Sequence, residues 1–594
     1  MQGTRLARQI ISTAEACLRR EFSLLGYTFQ TEREIRWRRD YVQGVETGLA
    51  YFRRIPYLDV SQAGDHKIIW ELNRHQHLAT MAQAFLLTGR QEFLDDLWYQ
   101  LDTWLEQNPL CRGMNWTSAL EVAFRALSWV WLEHWVGDRM PPQLRQRWLP
   151  AFYQHGRYLE ANLSFYFSPN THLQGEALAL HALGGLFGRE RWRQTGAAVL
   201  RENIASHVRA DGSHFEQSSF YHVYALDMFL FHTLLAPAEE GYRQRLREMA
   251  EYLWALSSSG SLPLLGDDDG GRLFHPYGER RAFARATLAC CAVALGDTPW
   301  HGDPEDLHEQ AVWWFGPRAW DLRTPAATPT SRRFADAGVA VLAADGVHLV
   351  ADTRGFGFGG AGHSHAHALH FTLRRRAATG FTDVLADPGT YTYVASAQAR
   401  DEFRGTAFHN TVTMNGCSQA EPDGPFRWRR LPETELLAWD ASPWRLRARC
   451  RYAQGWIHER QWVWDAGALF VLDRMEGDGI TRVEQHWHAG AAAAIQPLAE
   501  HHFLLPAGVH LLLAGGPPAE PTSGWLSDLP GERHAASVLR VTAAGPCLLA
   551  AVFLLEGPQS PAAALLEPSA TGAVLTAAGR RAEFFFNDAP PQIQ

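Results

Sequence analysis

The chain has 594 residues, with 46% hydrophobic and 20% charged residues, seven scattered cysteines and a formal net charge of −9. That length exceeds one ordinary core, so two or three soluble, globular domains are expected. The acidic balance argues against a general nucleic-acid binder, and the odd cysteines without metal-type spacing argue against a disulfide framework or a zinc ribbon. The N-terminus, MQGTRLARQIISTAEACLRREF, has no central apolar run of signal-peptide length, and CLLAAVFLL at 547–555 is too short to cross a bilayer. The chain as written therefore reads as a cytoplasmic protein with no membrane partner. A periplasmic or secreted location stays open if a signal has been removed.

To about residue 320 the periodicity is helical. In EFLDDLWYQLDTWLEQNP (92–109), Leu94, Leu97, Trp98, Leu101, Trp104 and Leu105 recur at three- and four-residue steps, and the run stops before Pro109. Similar segments follow at 117–136, 172–187, 192–208 and 219–236, suggesting paired helices in a ring or solenoid without a strict repeat. TPAATPTS (324–331) reads as a linker. Beyond it, VAVLAA, VHLVAD, ALHFTL, HNTVTM, LFVLDRM and AEFFFN read as strands of an antiparallel sandwich.

Three polar constellations stand out. In SPNTHLQGEALALHALGGLFG (168–188), Asn170 is a candidate helix N-cap, and His172 and Glu176 share one helix face. The plain alternative is a capped helix with a buried, hydrogen-bonded histidine. In RADGSHFEQSSFYHVYALDMF (209–229), Tyr221, His222 and Tyr224 open a helix, where tyrosines often serve the core. In GFGFGGAGHSHAHALHF (355–371), His363, His365 and His367 would share one face of an extended strand. With Asp387 of LADPGTY and His409 of AFHNTV, they suggest a His₂Asp metal site; a metal-free histidine cluster is the alternative. The pair His486 and His488 is a weaker ligand candidate. Trp, at 23 residues, suits both cores and sugar stacking.

Taken with WELNRHQHL (70–78), NPLCRGMNWTSALEVAFRALSW (108–129) and FRGTAFHNTV (403–412), these motifs make the chain resemble the heparinase II/III-like polysaccharide lyase family, in both halves and in the same order. The resemblance implies an α+β multidomain protein: an incomplete (α/α) toroid over 1–323, a linker over 324–332, an antiparallel β-sandwich domain over 333–594, and an active site in the cleft between. The chain departs from the family pattern at Thr171, where relatives commonly carry Asn, and at His367, where they commonly carry Asp.

A lyase removes the C5 proton of a uronate and expels the oxygen on C4, so the adjacent carboxylate must be neutralised and an acid and a base supplied. Asn170 and His172 are of the right type for neutralisation. By resemblance, Tyr221 is the general acid, doubling as base on glucuronate, and His363 is the base for iduronate. The resemblance also implies substrate contacts from Asn73, Arg74, Asn115, Trp116, Arg125, Glu176, His222 and Arg404. It implies one structural divalent ion, zinc, on His365, Asp387 and His409. The expected partner is an acidic polysaccharide: heparan or heparin, chondroitin or hyaluronan, with alginate or a bacterial exopolysaccharide as the alternative. Two rival readings stay open. One is a glycoside hydrolase using paired carboxylates such as Glu121, Asp267 or Asp268. The other is a non-catalytic glycan-binding protein of a biosynthesis cluster.

Overall fold

The structure is a computed structural model. It describes residues 3–274, 280–296, 300, 305–322, 329–344, 346–357, 362–465, 467–490, 494–555, 565–568, 572–577, 580–585 and 592–593. Most of the expected linker and the middle of the glycine-rich stretch lie outside the described residues.

Helices fill the first half, and their burial separates two kinds. Ala119–Val136, Thr171–Leu186 and Ser219–Leu235 are buried around most of their circumference, whereas Gln91–Gln107, Pro142–Asn162, Glu190–His207 and Glu240–Ser257 bury one face. Helices that are apolar all round must lie inside, and amphipathic ones must cover them. The inner helices neighbour one another in chain order, and each packs on an outer partner, which makes the (α/α) toroid. Close approach needs glycine: a Cβ on Gly196 would lie 2.3 Å from the Ala177 carbonyl, and one on Gly184 would lie 2.3 Å from the Arg193 nitrogen. Helix 91–107 ends at Asn108, as the following proline dictates.

A hairpin that the helical reading does not contain, Glu21–Leu24 with Tyr27–Gln30, reaches from this half to the other. Its turn meets the loop around Pro530. A Cβ on Gly531 would sit 2.3 Å from the Tyr27 ring, and Gly531 is in the left-handed region, so the contact depends on glycine twice.

The second half is antiparallel sheet. Arg332–Phe334, Val339–Ala344, Val347–Asp352, His370–Ala377 and Gly380–Leu385 form a five-stranded meander. Sheets of eight and four strands follow it. Val339, Val341 and Val350 of the meander pack into the helical core. Ala340, Leu342, Leu349 and Ala351 pack into the core that holds Trp462, Trp487 and Phe553. Alternate side chains thus serve different domains, which explains why these strands read as continuous apolar runs. No helix among the described residues is long and apolar enough to cross a membrane.

The interior holds many imidazoles. Burial pulls His66 down to about 3 and His222 and His348 to about 4, so all three are neutral in the fold at pH 7. A depressed folded pKa gives stability that is complete above the unfolded value of about 6.5 and is lost as pH falls toward the folded value. Glu176, raised to about 8 by burial, acts in the opposite sense, as do the raised carboxyls of Asp65, Glu71, Glu216 and Asp268, but the depressed imidazoles are more numerous. The melting temperature is therefore expected to fall steadily between pH 6.5 and 4.5, as read by scanning calorimetry. A flat profile over that range would contradict the assignment.

Candidate active site

The cleft forms where two inner-helix N-termini and the loop 266–271 meet the β-domain. Asn170 caps helix Thr171–Leu186, its Oδ1 accepting from the His172 N–H at 3.0 Å, as expected. Ser218 caps helix Ser219–Leu235 by accepting from the Tyr221 N–H. The two caps aim His172 and Tyr221 into the cleft from adjacent helix ends.

Asp267 locks the halves together. Its carboxylate is fully buried and receives both terminal nitrogens of Arg400, His365 Nε2 at 2.9 Å and His363 Nδ1 at 3.2 Å. Its backbone N–H donates to the His363 carbonyl at 2.9 Å. A Cβ on Gly266 would lie 2.7 Å from that carbonyl, and Gly266 has φ +72, so only glycine fits before the clamp. Burial pushes the Asp267 carboxyl up, but Arg400 and the two imidazoles outweigh it and hold it well below the usual carboxylate range.

The clamp brings His363 over Tyr221, with ring centroids 3.9 Å apart and planes 21° apart. The far nitrogen of His363, Nε2, lies 3.5 Å from Glu216, which also accepts from the Thr171 N–H. The Tyr221 hydroxyl is 3.3 Å from that of Tyr393. Burial first, and the Asp269 charge after it, raise the Tyr221 phenol well above 10, so it holds its proton at neutral pH. Burial, with the nearby Lys67 charge after it, pulls His172 down to about 4 and keeps it neutral.

Residues 362–369 form no strand, and the strand begins at His370. The three histidines nevertheless diverge usefully, His363 toward Tyr221 and His365 and His367 toward His409. His365, His367 and His409 can bring one ligand atom each to within 4.8 Å of one another. His365 Nδ1, His367 Nδ1 and His409 Nε2 are buried without a hydrogen-bond partner. Their other nitrogens face Asp267 (2.9 Å), Asp352 (3.1 Å) and Asp387 (3.0 Å). A carboxylate behind each imidazole fixes its tautomer and leaves a lone pair forward, the arrangement metal sites use. The expected set therefore changes. Asp387 stands behind His409 rather than beside His365, and His367 joins the forward group. A second grouping, His370 with Asp387 and His409, shares His409.

Other expected contacts lie elsewhere. Asn73 spends its amide on the Trp37 and Ile69 carbonyls and the Trp104 indole. Arg74 forks onto Glu121. Asn115 bonds Asn108 and the Trp37 carbonyl, and Trp116 is buried against His155 and Tyr158. Arg125 lies over Trp104 and Trp116 and donates to His155, and burial brings it down to about 9. His222 bonds the Met249 carbonyl, and Arg404 holds Asp401 and the Gly424 carbonyl. These seven are buried framework, most of their polar groups engaged by protein partners, though Asn115 Oδ1, Trp116 Nε1 and His222 Nδ1 have no hydrogen-bond partner among the described residues. Glu176 grips Ser164 by its N–H and hydroxyl and so holds the loop that exposes Phe165, Tyr166 and Phe167 at the rim. His486 is engaged by Thr413. Sequence reasoning missed Arg400, Tyr393, Glu216 and Lys67, and gave Asp267 only a hydrolase role. The run Asp267-Asp268-Asp269 before two glycines was the signal available for the clamp.

Two family descriptions match, Heparinase II/III N-terminus over residues 5–267 and Heparinase II/III-like, C-terminal over 326–546. The heparin-sulfate lyase of Pedobacter heparinus is 30% identical over 183 residues, covering 28% of this chain and 26% of that one. The heparin-sulfate lyase of Bacteroides thetaiotaomicron is 27% identical over 197 residues, covering 30% and 28%. The matched stretches thus span about a quarter of these relatives' length. A heparinase III crystal structure superposes with TM-score 0.72 at 16% identity, covering 98% of this chain and 91% of that one. A Streptomyces coelicolor chondroitin AC lyase gives 0.57 at 14%, covering 99% and 86%. At such identities the structural likeness speaks for the fold alone.

The clamp has a direct test. Asp267→Asn leaves the buried Arg400 without a counter-charge, which costs about 3 kcal/mol or more when one partner of a buried pair is lost. Asp268→Asn, whose partner Arg280 is less buried, should cost less. Melting temperatures of the two purified variants, compared with the unsubstituted protein, check the order; equal losses would contradict it.

Proposed function

The chain belongs to the heparinase II/III-like family, and we propose that it is a polysaccharide lyase cleaving uronate-containing, glycosaminoglycan-type glycans by β-elimination. The observation that carries this reading is the proton-bearing Tyr221 hydroxyl in the interdomain cleft, flanked by a neutral His172 and by His363. The heparin-sulfate lyases among the matching relatives support it.

In this mechanism His172, uncharged at pH 7, and the Asn170 side chain hydrogen-bond the uronate carboxylate and lower the cost of charge developing at C5. Tyr221, kept protonated by burial, delivers its proton to the C4 oxygen as the bond breaks. On glucuronate the tyrosine, left as the phenolate once it has given its proton to the C4 oxygen, takes the C5 proton, which regenerates the phenol. On iduronate His363 takes it from the opposite face, while Asp267 and Glu216 stabilise the imidazolium that forms. A hydrolase using paired carboxylates is disfavoured, because Glu121, Asp267 and Asp268 are each committed to an arginine.

The forward-facing nitrogens of His365, His367 and His409 suit zinc, for which tetrahedral nitrogen ligation is usual. The ion, when bound, supplies a fixed positive charge that ties the His363–His367 segment to His409. It plays a structural part.

Tyr221→Phe should lower kcat by about a thousandfold with binding retained, the scale of a lost general acid. Initial rates from the ultraviolet absorbance of the unsaturated product, together with calorimetric titration of an oligosaccharide, check this; near-normal turnover would remove Tyr221 from the reaction.

Unchelated protein should hold one zinc per chain by elemental analysis. His367→Ala and His409→Ala should lose it and melt earlier, while Asp387→Asn should retain it with weaker affinity. Retention by His367→Ala with loss by Asp387→Asn would favour the second grouping.

A further inference from the structure

Seven of the fourteen large apolar side chains that stand exposed among the described residues fall in three short segments. They are Leu49, Tyr51 and Leu58 in 48–58, Leu110 in 109–113, and Phe165, Tyr166 and Phe167 in 163–170. Exposed apolar residues scattered singly need no explanation, but a cluster of them marks a surface that meets something. The three segments lie side by side. The Phe52 N–H donates to the Cys111 carbonyl at 3.1 Å, and the Gly113 N–H to the Ala50 carbonyl at 2.9 Å. Arg53 donates to the Asn162 side chain at 3.2 Å and the Phe52 ring packs on Tyr158, which brings in the third.

The third segment is a projecting loop on a fixed base. Glu176 accepts from the Ser164 N–H and hydroxyl, each at 2.7 Å, and Asn170 closes the other end as a helix cap. Between these anchors Tyr166 is 101% exposed and Phe167 79%, with Phe165 beside them at 47%. None of the three rings packs on another ring among the described residues. The charge on the face is one-sided. The three segments carry Arg53, Arg54 and Arg112, all exposed, and contain no Asp or Glu, in a chain whose net charge is −9.

We propose that this face is a membrane-contact surface, on which the tip Phe165–Phe167 enters the headgroup boundary of an anionic phospholipid bilayer and Arg53, Arg54 and Arg112 meet the lipid phosphates. Aromatic side chains favour that boundary, and basic residues beside them are drawn to its negative potential. A sugar platform would need rings held flat by their neighbours, and the two phenylalanines offer a glycan no hydrogen bond. A second copy of the chain on the same face would set the three arginines against their own images. The expectation of no membrane partner rests on the absence of a spanning run, and contact with a bilayer surface needs none. The loop ends at Asn170, so the surface belongs to the rim of the cleft, yet the proposal stands apart from the lyase reading.

Sedimentation of the full chain with lipid vesicles tests this. The protein should bind vesicles of phosphatidylcholine with phosphatidylglycerol more tightly than vesicles of phosphatidylcholine alone, and added salt should shrink the difference. A variant carrying Phe165→Ser, Tyr166→Ser and Phe167→Ser exchanges exposed side chains and should melt close to the unsubstituted protein. Its partition onto the anionic vesicles should fall by about tenfold or more. Arg53→Gln with Arg54→Gln should lower binding to the anionic vesicles by about tenfold and leave binding to phosphatidylcholine alone unchanged. Failure of the unsubstituted protein to sediment with the anionic vesicles, or equal sedimentation of the aromatic variant, would overturn the proposal. An aromatic variant that keeps vesicle binding and loses affinity for a uronate polymer would assign the face to glycan and overturn it too. If the triple variant fails to fold, Tyr166→Ser alone, at a side chain fully open to solvent, decides in the same assay.

Discussion

A single carboxylate, Asp267, sets the geometry on which the site depends. It belongs to the helical half, yet three side chains of the β half converge on it, one guanidinium and two imidazoles. Removing a charge from water is costly, and the cost is offset here because its hydrogen-bonding positions are matched by a fixed donor. The arrangement has no slack. Were the domains to shift by an ångström, the fork on Arg400, the stacking of His363 on Tyr221 and the tautomer of His365 would be disturbed together.

The same economy governs the histidine cluster. Asp267, Asp352 and Asp387 stand behind His365, His367 and His409 respectively, and each comes from a different segment of the chain. The carboxylates pull the N–H protons backward, so the nitrogens left forward are lone pairs that would repel one another in a dry interior unless something positive sat among them. His367 offers a neutral nitrogen forward, and Asp352 supplies the carboxylate behind it.

Much of this was legible in the sequence, and the failures share one cause. Helix periodicity placed 91–107 and its stop at Pro109 correctly, and turn chemistry identified Asn170 as a cap, because both depend on neighbours along the chain. Asn73, Arg74, Asn115, Trp116, Arg125, His222 and Arg404 stood in motifs and carried polar or aromatic groups, so they looked like sugar contacts. Arg125 and His222 lie on inner helices, which have no exposed face, and the other five are equally buried, at helix ends and turns. Arg125 is held among Trp104, Trp116 and His155. Period-two reasoning failed at His363–His367 because the segment is irregular, its backbone bonding the loop at Asp267 and Arg404 in place of a neighbouring strand. Asp267 itself was visible only as part of an acidic run, since its partners lie about a hundred residues away.

The five-stranded meander, with valines facing the helices and the intervening residues facing the sheets, has a consequence for how the protein can be divided. Each of its central strands is a wall shared by two rooms. Cutting the chain at the junction would strip the toroid of Phe334, Val339, Val341 and Val350 and leave the detached sheet with the same side chains bare to water. Neither half is a cassette that recombination could lift out intact. The apparent boundary in composition is a boundary of secondary structure, and the unit that folds is the pair.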